Sequence, residues 1–68
     1  MNLKVRNSKI KSLSDLYKKN KQILNKAFVL KSVSSNVKTI VLMDKVIAEF
    51  SGYNSIIIND IFDLQKMF

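Results

Sequence analysis

Sixty-eight residues, 47% of them hydrophobic, with no cysteine, no histidine, no proline and one glycine, describe a single small folding unit without disulfides, zinc sites or a glycine-rich phosphate loop. The formal charge of +7 points toward an anionic partner. No apolar run approaches the roughly 20 residues of a bilayer span, and no signal core follows Lys4, Arg6 and Lys9, so a cytoplasmic protein is expected.

The charge is unevenly placed along the chain. Residues 1–38 hold ten basic side chains against Asp15 alone, a net +9, whereas residues 39–68 hold Lys45 and Lys66 against Asp44, Glu49, Asp60 and Asp63, a net −2. Compositional lysine bias would spread charge evenly, so this polarity favours a directional electrostatic role.

In chain order, residues 1–11 read as an irregular or extended basic arm ahead of a single helical domain over 12–68. Ser12 and Ser14 precede an apolar pattern, and Asp15 follows where a carboxylate suits a helix N-terminus, which predicts a first helix over about 13–32. At helical spacing Leu13, Leu16, Tyr17, Ile23, Leu24, Ala27, Phe28 and Leu30 share one broad apolar face, opposite Lys18, Lys19, Lys21 and Lys26. Asn20 falls inside the apolar stripe, where it needs a hydrogen-bond partner; satisfaction within the core is the simpler expectation, pairing across a symmetric interface the other.

Ser32 to Asn36 is a polar break that predicts one short loop. Residues 37–50 have mixed periodicity and are read as a second helix, with 54–67 as a third, giving an all-α three-helix domain. The rival is α+β, with a β-hairpin at 37–50 and a C-terminal helix starting near Asn59. Surplus apolar residues on the last helix, Ile56 and Ile57 with Met67 and Phe68 beyond them, suggest an oligomer or partner interface, most simply that of a homodimer.

Ala48 and Gly52 stand four apart, with Ile47 before them and Tyr53, Ile58 and Ile61 after. This pattern, over about residues 44–63, resembles a helix-turn-helix, in which a small residue lets two helices cross and glycine makes the turn. Ser51 stands where an apolar residue is commoner in that motif. The run Ala48-Glu49-Phe50-Ser51-Gly52-Tyr53 is also similar to the turn of the helical pair in bacterial nucleoid proteins of the HU and integration host factor type. Those proteins continue into a sheet and long arms, so the likeness implies a scaffold and no DNA-contact residue. The helix that would read bases carries Asp60 and Asp63, which phosphate charge disfavours at a duplex.

The expected function is therefore that of a small, dimeric DNA-binding protein, a transcriptional regulator or architectural factor that acts mainly through phosphate contacts. Lys4, Arg6, Lys9 and Lys11 would supply the arm contacts, and Lys18, Lys19, Lys21 and Lys26 a charged ridge. With a single arginine, sequence preference would be weak. The alternative is a protein-binding inhibitor or regulatory module, for example phage-encoded, docking on an acidic or nucleic-acid-binding surface. Attachment to a membrane surface through the basic first helix ranks below both. An enzyme is not expected, since histidine and cysteine are lacking. No cofactor or metal is expected either; Asp60 and Asp63 read as solvated helix charges.

Overall fold

A computed structural model describes residues 2–67, and among them the chain forms an antiparallel pair of long helices. The first, α1, runs over Leu3–Val33 and the second, α2, over Val37–Gln65, 31 and 29 residues long. A connection of three residues leaves the second helix no option but to double back against the first. The resulting rod measures 51 × 14 × 11 Å.

Each N-cap is an asparagine. The Asn2 side-chain oxygen accepts from the Val5 backbone N–H at 2.8 Å, and the Asn36 side-chain oxygen accepts from Lys38 and Thr39 at 2.9 and 3.3 Å. Between the helices the Ser34 N–H closes α1 by donating to the Leu30 carbonyl at 3.0 Å, and the Asn36 N–H donates to the Ser34 hydroxyl oxygen at 3.1 Å. The break thus falls at Ser34–Asn36, within the polar segment picked out from sequence.

The helices meet along a seam of alternating three- and four-residue steps. On α1 it passes through Arg6, Ile10, Leu13, Tyr17, Asn20, Leu24 and Ala27; on α2 through Ile40, Met43, Ile47, Phe50, Asn54, Ile57, Ile61 and Leu64, all buried or half-buried. A mean spacing of 3.5 residues is the signature of a coiled coil, so the pair packs as an antiparallel coiled-coil hairpin.

Three expectations from sequence are corrected. In place of the basic N-terminal arm expected over 1–11, residues 3–11 form the start of α1, because Lys, Leu, Ile and Arg favour helix, nothing there breaks it, and Arg6 and Ile10 extend the seam. The three-helix domain with a helix-turn-helix-like second half is a two-helix hairpin, since α2 continues through Gly52 without a positive φ. The alternative β-hairpin at 37–50 is likewise replaced by helix, with no strand among the described residues.

Gly52 remains inside α2 because an internal glycine costs only about 1 kcal/mol against alanine, and seam contacts on both sides outweigh that. A Cβ built at Gly52 meets nothing within 4 Å. Gly52→Ala should therefore stabilise the protein by about 0.5–1 kcal/mol in urea unfolding. Destabilisation would mean that the backbone turns there.

The core is thin. Among the described residues, the buried apolar ones are Ala27 (3% exposed) and Ile57 (6%), joined by the polar Asn20 (6%) and Asn54 (7%). Asn20 donates from Nδ2 to the Asn54 side-chain oxygen at 3.0 Å, and Asn54 Nδ2 donates to the Tyr17 carbonyl at 3.4 Å. Asn20 is thus satisfied within its own chain, the simpler of the two expectations. Near the loop Lys31 pairs with Asp44; both side chains are about half exposed, so the pair adds little stability.

Candidate phosphate-binding ridge

The helical repeat sorts the basic residues of α1 by the surface they occupy. Lys4, Lys11 and Lys18 are spaced by seven and form one line; Lys19 and Lys26, also spaced by seven, form a second, with Ser8, Asp15, Gln22 and Val29 running between the two. Both lines lie on the side of α1 away from the seam, and all five residues are exposed. At 1.5 Å rise per residue the ridge from Lys4 to Lys26 extends about 33 Å, close to one turn of B-DNA. Asp15 interrupts it near the middle.

The other three basic positions singled out from sequence sit elsewhere. Lys21 lies on one flank of α1, and Lys9 on the other. Arg6 belongs to the seam, where it is half-buried and its guanidinium Nη2 donates to the Asn7 side-chain oxygen at 3.2 Å. The chain's only arginine thus sits on the seam side of α1, off the ridge.

Lysine ammonium groups are compact charges with mobile stems. They neutralise phosphates without imposing the planar geometry that reads a base edge. A row of them on a straight helix suits a regular polyanion whose backbone is presented on one side.

The chain matches no known protein family, no curated protein and no solved structure.

A second surface lies beside the ridge. Leu16, Ile23 and Leu30 recur every seven residues along the flank of α1 that also bears Lys9, and all three are exposed. Leu16 lines the same shallow groove as Tyr53 and Ile56 of α2, so the apolar flanks of the two helices adjoin. The Tyr53 ring meets Phe50 edge-to-face, with centroids 5.4 Å apart. Toward the open end of the hairpin a larger groove is lined by Lys4 and Lys9 from α1 and by Asp60, Asp63 and Met67 from the α2 side.

Of the positions expected at an interface, Ile56 is on this apolar side and Met67 is exposed just past α2. Ile57 is buried in the seam, and Phe68 lies outside the described residues. Sequence reasoning passed over the Leu16–Ile23–Leu30 stripe because it merges with the seam into one broad face. The seven-residue spacing was the available signal. It also missed Asn54 as the partner of Asn20, although Asn54 stands midway between Ile47 and Ile61 at the same spacing.

Asp60 and Asp63 are exposed, and no cluster of three or more potential metal ligands occurs among the described residues. No helix among them is long and apolar enough to cross a membrane.

Proposed function

We propose that this chain is a small, non-enzymatic DNA-binding protein that holds backbone phosphates on the lysine ridge of α1. The observation that supports this reading is the alignment of Lys4, Lys11, Lys18, Lys19 and Lys26 on the helix face turned away from α2. Core packing asks for nothing there, and one acidic residue, Asp15, is the only opposite charge in the first 38 positions. An architectural role fits better than a sequence-specific regulator, because guanine is most often read by arginine and Arg6 is in the seam. We place the protein in the cytoplasm, in contact with DNA.

Binding to a short duplex, followed by fluorescence anisotropy, tests the proposal. Each phosphate contact contributes about 0.9 to the slope of log affinity against log salt, so five contacts give a slope of about −4.5 and a loss of about 500-fold between 50 and 200 mM salt. Replacing Lys11, Lys18 and Lys26 by glutamine should reduce that slope to about −1.8 on the same rule. Affinity that ignores salt, or a slope unchanged in the triple variant, overturns the reading. A stoichiometric protein recovered from nuclease-treated lysate would then favour the inhibitor alternative, for which the exposed apolar side of the hairpin is the supporting observation.

A further inference from the structure

We infer that a second copy of this chain covers the apolar side of the hairpin, forming a four-helix bundle in which each α1 lies over the partner's α2.

The first argument is area. The chain exposes 5224 Å². A folded monomer of its mass is expected to expose about 4,400 Å², and the surplus of about 800 Å² equals the share of one partner in a standard interface. The surplus is densest on one side, although Phe28, Val41, Ile58 and Phe62 are exposed on the other. Leu16, Ile23 and Leu30 adjoin Tyr53 and Ile56 in an unbroken stripe, whereas the exposed apolar residues of the opposite flank are interrupted by Ser14, Lys21, Asp44 and Ser51. A core with two buried apolar residues is also too small to order 68 residues unaided.

The second argument is charge, and it selects both the occupant and its orientation. The apolar side is bordered on α1 by basic residues, Lys9, Lys19 and Lys26, and on α2 by acidic ones, Glu49, Asp60 and Asp63. Such a surface is complementary to itself when α1 of one copy faces α2 of the other, and it repels itself when α1 faces α1. A twofold axis parallel to the helices makes the favourable pairing twice and keeps residues at equal height opposite one another. Asn20 is level with Asn54, so stepping along the antiparallel helices brings Lys26 within one residue of Glu49 in height and Lys9 within two of Asp63. In this bundle every neighbouring helix is antiparallel, which also opposes the helix dipoles favourably.

The inference rests on a different surface from the DNA-binding proposal, and a dimer that ignores DNA would overturn only the latter. Light scattering on the intact chain should give twice 7.8 kDa, with a melting temperature that rises with protein concentration. Ile23→Lys, in the middle of the stripe, should halve the mass, while Val29→Lys, equally conservative in size but on the outer face of α1, should leave it unchanged. If Ile23→Lys fails to fold, the concentration dependence of wild-type melting still decides. A wild-type chain that is helical and monomeric at all concentrations overturns the inference, as does any mass other than twice that of one chain.

The chain has no cysteine, so Ser35→Cys in the loop provides a unique spin-label site. Loops at the same end of the bundle would bring the two labels within about 20 Å, given helix separations of 8–10 Å. A distance approaching the 51 Å length of the rod would overturn the orientation.

Discussion

Ile57→Ala is expected to lower the free energy of unfolding by about 2–4 kcal/mol, the range for deleting a large buried aliphatic side chain. Ile57 is one of two buried apolar residues among those described, and the other, Ala27, has no bulk to compensate for a cavity. Val29, 60% exposed on the outer face of α1 and outside both the seam and the inferred interface, provides the internal comparison: its truncation to alanine should cost well under 1 kcal/mol. Urea unfolding at one fixed chain concentration measures both, since dimerisation links apparent stability to concentration. Equal costs for Ile57 and Val29 would mean that the seam is misassigned, so that its positions face the wrong way.

The second large effect concerns the buried asparagines. Asn20→Leu removes the donor that satisfies the Asn54 side-chain oxygen, leaving a buried acceptor unpaired at a cost of about 1–3 kcal/mol. Replacing both by leucine removes the polar groups together, so Asn20→Leu/Asn54→Leu should recover that loss and match or exceed the wild-type stability. A favourable coupling of about 1–2 kcal/mol in the double-mutant cycle is the expected signature of a direct contact. What the double variant should lose is uniqueness. With leucine at both positions, the seam has no polar group to penalise a shifted register, and a broader distribution of masses in light scattering is expected. If Asn20→Leu alone is neutral, the pair does not hold the register.

These two experiments act on the features that make so slender a hairpin a defined object. Apolar area along the seam drives association of α1 with α2 but, being non-directional, does not choose among registers seven residues apart. The Asn20–Asn54 hydrogen bond chooses, because a slip by one heptad would bury each amide against aliphatic groups. The order established in the seam then carries outward: it sets which lysines face away and which aliphatic residues are left uncovered.

Much of the local structure was legible before any coordinates. The loop at Ser34–Asn36 follows from a run of short polar residues, and the need of Asn20 for a partner follows from its place in an apolar stripe. The extent of the helices was not legible. Ser12 and Ser14 look like caps, yet they lie within α1, since the preceding Leu3–Lys11 segment has no breaker and gains contacts through Ile10. Gly52 looks like a turn for the same kind of reason, and a local signal worth about 1 kcal/mol is overridden by packing on either side of it.

By itself, the order of residues determined that the first half carries a helical apolar pattern, that ten of the twelve basic side chains fall in the first 38 positions, and that cysteine and histidine chemistry is ruled out. Only the tertiary structure decided which aliphatic side chains are core and which are surface, because Leu13 and Leu16, or Ile56 and Ile57, are chemically equivalent until a second helix takes one side. The physical reason is that burial depends on pairs of surfaces. Periodicity fixes the angle between two side chains on one helix, but where that helix meets its neighbour depends on the register of both, set here by a hydrogen bond between residues 34 positions apart.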